Sequence, residues 1–226
     1  MLRLPKAGLI GLLLIGAVST ASAAPITYDV TVNTASLSGT TGSLDFNFNP
    51  GPLTTQAATL QIDSFSGASL SGGAFLTGDA TGALPGVVTL TNGTAFNDYF
   101  QSVVYGSTLT FDLGLSGPAL SSPDGTSASG SAFAFSMFSD AAGTQPALTS
   151  DTTDGFALTV GVNLDGSTTV SNFSSETAIS AAGGSTSVPE PDGLALAGAG
   201  FALALIGVYR RRRSPDGRLT TEQLAH

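Results

Sequence analysis

From Ile26 to Phe173 the chain alternates short apolar runs with polar positions at a period of two, and the runs break at Gly, Pro, Asn or Asp. Val, Phe, Leu, Thr and Tyr fill the runs, and such side chains suit a pleated, half-buried surface. The pattern predicts strands over 26–37, 43–49, 57–70, 86–91, 96–104, 108–115, 132–139, 155–164 and 168–173. No helical period occurs in this stretch. The sharpest turn signals are Asn92-Gly93 and Asp165-Gly166, both of the kind that closes hairpins. A three-residue loop over 165–167 would set Val162 opposite Val170; the register at that hairpin stays open. The expectation is an all-β domain, an antiparallel β-sandwich of jelly-roll-like form. A β-solenoid is the alternative, without a fixed internal period to support it. Every phenylalanine from Phe46 to Phe173 is read as core. Tyr28, Tyr99 and Tyr105 are read as strand residues half buried at the sheet surface, or else as platforms for sugar rings.

Two stretches at the ends depart from the strand pattern. Arg3 and Lys6 precede an apolar core over 7–18, followed by Ala21-Ser22-Ala23. This is the form of a secretory leader, with cleavage expected after Ala23 so that Ala24 comes first. The Sec translocon and signal peptidase are the implied partners. An uncleaved anchor is the alternative, but the core is shorter than the ~20 residues of a spanning helix. Residues 193–209 form a second uncharged run, ended by Arg210, Arg211, Arg212 and Arg213. As a helix of roughly 17 residues it reaches about 25 Å, and snorkelling flanks make up the rest of the bilayer core. The arginines on one side, with Glu190 and Asp192 on the other, predict a single transmembrane helix with a cytoplasmic tail over 214–226. A buried helix of a globular domain is the alternative. Between the ends lie a domain over 24–177 and a Gly/Ser-rich spacer over 178–187.

Directly before the second apolar run stands Val188-Pro189-Glu190-Pro191. A Pro-Glu-Pro tripeptide, an apolar run and an arginine cluster, in that order, resemble the PEP-CTERM sorting signal, here over 188–213. The resemblance implies a Gram-negative exporter of exopolysaccharide in which a membrane-embedded exosortase recognises Val188 to Pro191 and processes the chain nearby. It implies residence in the inner membrane with the domain in the periplasm, then transfer to the cell surface or the extracellular matrix of a biofilm. Asp192 stands where such proteins often carry a small hydroxyl residue, and the tail after the arginines is longer than in many of them. Inside the domain, Leu84-Pro85-Gly86, the segment 92–100, the segment 115–118 and Phe133-Ala134-Phe135 are similar to a subgroup of PEP-CTERM proteins.

Charge then narrows the chemistry. The 226 residues carry a net charge of −9, and all seven basic residues lie in the two ends. From Ala7 to Tyr209 there is no Lys, Arg, His or Cys, and His226 is the single histidine. Nucleic acid would find no cations to replace its counterions. Thiolate chemistry, a Ser-His-Asp triad, a Ser-Lys pair and a phosphate loop all lack their residues. Glycoside hydrolysis needs only two carboxylates ~5 to 10 Å apart, but no Trp is present to stack on a sugar. No enzyme is expected. Calcium suits unpaired acids, since it takes hard oxygen ligands. Asp151, Asp154 and Asp165 are the weak candidates, although Asp before Gly is first a turn residue. Ser and Thr make up roughly a quarter of the chain and suit a solvated sheet face; they are also acceptors for O-linked sugar. The expected role is a structural or adhesive surface protein, with a Ca²⁺-dependent carbohydrate-binding module acting on surface polysaccharide as the alternative.

Overall fold

The computed structural model describes residues 24–182. The leader, Val188 to Pro191, the apolar run over 193–209 and Arg210 to Arg213 lie outside the described residues. Eleven strands form one antiparallel sheet: β1 (Ile26–Asn33), β2 (Thr41–Pro50), β3 (Thr59–Leu70), β4 (Phe75–Thr77), β5 (Ala80–Gly82), β6 (Val88–Thr91), β7 (Asp98–Ser116), β8 (Ser131–Phe138), β9 (Phe156–Val162), β10 (Thr168–Asn172) and β11 (Thr177–Ala181). One helical turn, α1 (Pro118–Ser121), follows β7, and among the described residues no helix is long and apolar enough to cross a membrane. The spatial order is β10-β9-β8-β2-β7-β3-β6-β5, with β1 also on β7 and β11 on β1. Every pairing of named strands is antiparallel, which removes the solenoid alternative.

The strand β7 organises the rest. Two strands expected separately, over 96–104 and 108–115, are one 19-residue strand whose odd positions from Tyr99 to Leu115 face inward, apart from exposed Ser107. Its first half pairs with β2 through Asp98–Val104, and its second half pairs with β1 through Thr108–Leu115. Between the halves the ribbon of β3 and β7 bends. Ser64 and Gly67 in β3 take positive φ, and the register shifts twice between Asp63 and Ala68. Opposite, a side chain at Gly106 would meet the Gly67 carbonyl oxygen at 2.4 Å, so only glycine permits the close approach.

The bend doubles the sheet over on itself. Straight, the path from Tyr99 to Phe111 would cover roughly 40 Å. Instead the Phe46 ring of β2 lies 6.3 Å from the Tyr99 ring and 5.3 Å from the Phe111 ring. Phe135 of β8 stacks on Phe46 at 5.0 Å and meets Phe111 edge-on at 5.0 Å. The core therefore lies between β2–β8–β9 on one side and the β1 half of β7 on the other. The Tyr28 hydroxyl of β1 sits 2.6 Å from Thr168 Oγ1 of β10, tying β1 to the edge strand of the other side.

Several expectations change. Phe75 and Phe96 are 73% and 52% exposed, so they are not core; Phe75 lies on the short strand β4, and Phe96 lies in the loop before β7. Phe100, Phe156 and Phe173 are only partly buried and also lie outside the core. Tyr99, Tyr105 and Tyr28 are buried rather than half exposed, which ends their role as sugar platforms. Asn92-Gly93 closes no hairpin, because β6 pairs with β3 and β5 and not with β7. Asn92 is instead a buried hub: its Oδ1 accepts the Ala58 N–H at 2.8 Å, and its Nδ2 donates to Gln56 O at 2.8 Å and Ser131 Oγ at 2.7 Å. At the last hairpin Val170 pairs with Val160 and Thr168 with Val162, two residues from the expected register, which keeps every side chain on its face. Finally, the first part of the expected spacer is strand β11, which pairs with β1 from Tyr28↔Ala181 to Val32↔Thr177. Small residues read as flexible by composition are ordered there by β1's free edge; 183–187 lie outside the described residues.

Candidate functional site

The outer face of β7, β2, β8 and β9 carries the polar half of the alternation. Leu44, Phe46 and Phe48 of β2 point into the core, so Asp45, Asn47 and Asn49 point away from it. Cross-strand pairing sets Asp98, Asn47, Ala134 and Thr159 in one row. Phe100, Asp45, Ser136 and Phe156 form the next, and Asn49, Ala132 and Gly161 a third. The small residues Ala132, Ala134 and Gly161 hollow the middle of this face. The result is a groove of about 640 Å³, walled by Asp45, Asn47 and Asn49 along β2 and by Phe96, Phe156 and Leu164.

One end of the face is closed by the loop after β8. Ser43 Oγ donates to Asp140 O at 2.9 Å and Ser102 Oγ to Ala141 O at 3.3 Å. A side chain at Gly143 would strike the Phe100 ring at 2.7 Å. At the other end, Asn49 Oδ1 accepts the Asn97 N–H at 2.6 Å, and Asn97 Nδ2 donates to Phe48 O at 3.0 Å. These bonds hold the loop bearing Phe96 at the rim.

Two acids meet at this face. Asp98 stands directly across from Asn47, and Asp45 is diagonal to it, within hydrogen-bond reach of its carboxyl. Burial pushes the Asp98 carboxyl up to about 8, helped by a hydrogen bond with Asp45 and by the charge of Asp45. Near neutral pH Asp98 therefore keeps its proton. Asp45 Oδ1, Asn47 Oδ1 and Asp98 Oδ1 are all buried without a hydrogen-bond partner. Such orphaned acceptors are uncommon in folded proteins and cost free energy where they persist.

The expected cation ligands lie elsewhere: Asp154 is exposed, and Asp151 and Asp165 are already engaged. Asp151 Oδ1 accepts the N–H groups of Thr153 and Asp154, and Oδ2 accepts that of Phe156. The N–H groups of Thr153 and Asp154 hold its carboxyl below the usual carboxylate range. Asp165 accepts both the hydroxyl and the N–H of Ser167, which lower it in the same way. Both are turn caps. Among the described residues no three carboxylates or histidines gather as a metal cluster. Ala24 lies exposed just ahead of β1.

Sequence reasoning missed Asp45, Asn47 and Asp98. The run Leu44-Asp45-Phe46-Asn47-Phe48-Asn49 does show three polar side chains on one face of a strand. What it lacks is the register that brings Asp98 beside them. No protein-family model, no curated protein and no solved structure matches this chain.

Proposed function

We propose that this chain is an exported surface protein of structural or adhesive type, sorted by an exosortase and not catalytic itself. Its leader directs export through the Sec translocon, and the apolar run over 193–209 holds it in the inner membrane with the β domain in the periplasm. Processing near Val188–Pro191 then releases the domain to the cell surface or the exopolysaccharide matrix. The observation that carries this reading is an order of residues: Pro189-Glu190-Pro191, an uncharged run, then four arginines, in a chain with no other basic residue after Lys6 except Arg218. The finer architecture proposed for the domain is a jelly-roll-like sandwich, supported by the aromatic contacts across the doubled sheet.

A non-catalytic role is supported by the site chemistry. Asp45 and Asp98 sit at diagonal positions on adjacent strands, with no room between them for the sugar that a glycosidase pair must flank. No His, Lys, Arg or Cys stands between Ala24 and Ala182 to act with them. The test is expression with and without an exosortase, following the chain's C-terminal end. Loss of that end only in the exosortase host is expected. Full-length chain retained in the inner membrane of both hosts would defeat the reading.

A second reading, binding of surface polysaccharide, is favoured by the groove. Amide and carboxyl groups along one wall and exposed Phe96 on the other offer hydrogen bonds and an apolar ring face to a polyhydroxylated chain. Retention on the producing cell's own exopolysaccharide checks it, with Phe96→Ala expected to weaken binding roughly tenfold. Equal retention of the two proteins would remove the groove from consideration.

A further inference from the structure

Positive charge is missing where this domain most needs it. Asp45, Asn47 and Asp98 occupy neighbouring positions of β2 and β7, and Oδ1 of each is buried with no hydrogen-bond partner. Asn47 is only 8% exposed and lines the groove. Among the described residues no side chain can supply the missing charge, because 24–182 contain no Lys, Arg or His.

We propose that Asp45, Asn47 and Asp98 form a binding site for a single Ca²⁺ ion at the end of the outer-face groove. The donor set is all oxygen, which selects hard cations over zinc or copper. On binding, Asp98 gives up its proton to solvent, so that two carboxylates neutralise the ion's charge and the amide oxygen supplies a third ligand. Ca²⁺ takes six to eight oxygens in a tolerant geometry. The groove beside Asp45 and Asn47 leaves its remaining positions to water or to ligand hydroxyls. Mg²⁺ fits less well, since it demands near-ideal octahedral geometry and keeps its water. The ion would tie β2 to β7 where they bear like charges, so binding stabilises the fold. This site is distinct from the turns at Asp151 and Asp165, and it does not depend on the sorting reading.

A second acidic row offers an internal control. Asp29, Asp112 and Asp63 are direct neighbours across β1, β7 and β3 on the other layer. None of their oxygens is buried and orphaned, and Asp63 Oδ1 accepts the Ser64 hydroxyl at 2.9 Å.

The experiment is thermal unfolding of the full chain in detergent, in EDTA and then in rising Ca²⁺ or Mg²⁺, with no sugar present. At a hundred times the dissociation constant, Ca²⁺ raises the midpoint by about 5–10 °C, and Mg²⁺ raises it less. Asp45→Asn and Asp98→Asn abolish the rise, and Asn47→Ala weakens binding roughly tenfold. Asp112→Asn leaves it unchanged. Asparagine is close in shape to a protonated aspartate, so these variants keep the apo packing. Should one fail to fold, calorimetric titration of the native chain with Ca²⁺ decides the matter by finding one ion or none. No midpoint shift in the native chain at millimolar Ca²⁺ overturns the site. So does a shift that survives in Asp45→Asn and Asp98→Asn, which would place the ion elsewhere. Failure of exosortase processing touches neither outcome.

Discussion

The Phe111 ring meets the Phe46 ring nearly perpendicular, at 87° and 5.3 Å, although their strands pair with each other only through the opposite half of β7. The contact exists because β7 doubles back over the core, and it spans both layers of the domain. Phe111→Ala removes a fully enclosed ring from that junction. A loss of about 3–5 kcal/mol in unfolding free energy is expected by denaturant titration. A loss below 1 kcal/mol, on the order of one methylene, would mean the layers are not packed through this ring.

Gly67 tests the bend itself. It has φ +93°, and an added Cβ would sit 1.8 Å from the Thr108 carbonyl oxygen. Gly67→Ala therefore suffers both backbone strain and a clash with main chain that cannot yield. Gly39 has φ +78° and nothing within 4 Å, so Gly39→Ala carries the strain alone, about 1 kcal/mol. The Gly67 variant is expected to be the less stable by at least about 2 kcal/mol in the same denaturant titration.

Asn92 joins three segments that share no strand pairing through it. Asn92→Ala leaves the buried Ala58 N–H without an acceptor, and Gln56 O and Ser131 Oγ without a donor. A loss of about 2–3 kcal/mol is expected. Amide exchange at Ala58 should quicken out of proportion to that of the adjoining strand β3.

Asp112 has Asp29 opposite on one side and Asp63 on the other. Like charges placed directly across a sheet repel, so Asp112→Asn should stabilise the domain by about 0.5–1 kcal/mol at low salt. The gain should shrink as salt is added. Destabilisation by this change would show that the row is held by something other than water.

The pH profile in EDTA has two limbs of opposite sign. Asp98 is pushed up to about 8 by burial and by Asp45. The folded state therefore holds a proton that the unfolded chain releases near 4, and stability falls as pH rises from about 4 to about 8. Asp151 and Asp165 are held low by N–H and hydroxyl donors. Their contribution is present above the unfolded value and disappears as the solution becomes more acid. Asp98→Asn flattens only the upper limb. Thermal midpoints from pH 3 to about 9 check both limbs, and an upper limb that persists in the variant would assign it to another group.

Leu44, Phe46 and Phe48 were legible as a core face from alternation alone, because a strand has only two faces and apolar side chains leave water. The strands shortest in sequence, β4 and β5, carried too few residues for a period to show. Ala178 to Ala181 gave no sign of a strand, since small residues acquire one only when an open edge such as that of β1 stands beside them. Phe75 and Phe96 misled for the opposite reason: an aromatic residue at an edge or rim obeys the same local pattern as one in the core.

Sequence by itself determined the class of structure, the inner faces of most strands, the anionic character of the domain and the chemistries it lacks, because these depend on side-chain type and local period. Tertiary structure alone decided that β7 is one bent strand and that Asp45, Asn47 and Asp98 share a surface with their oxygens unpaired. Those outcomes depend on which distant strands pair and in what register, and a shift of one residue would have turned Asp98 to the other face.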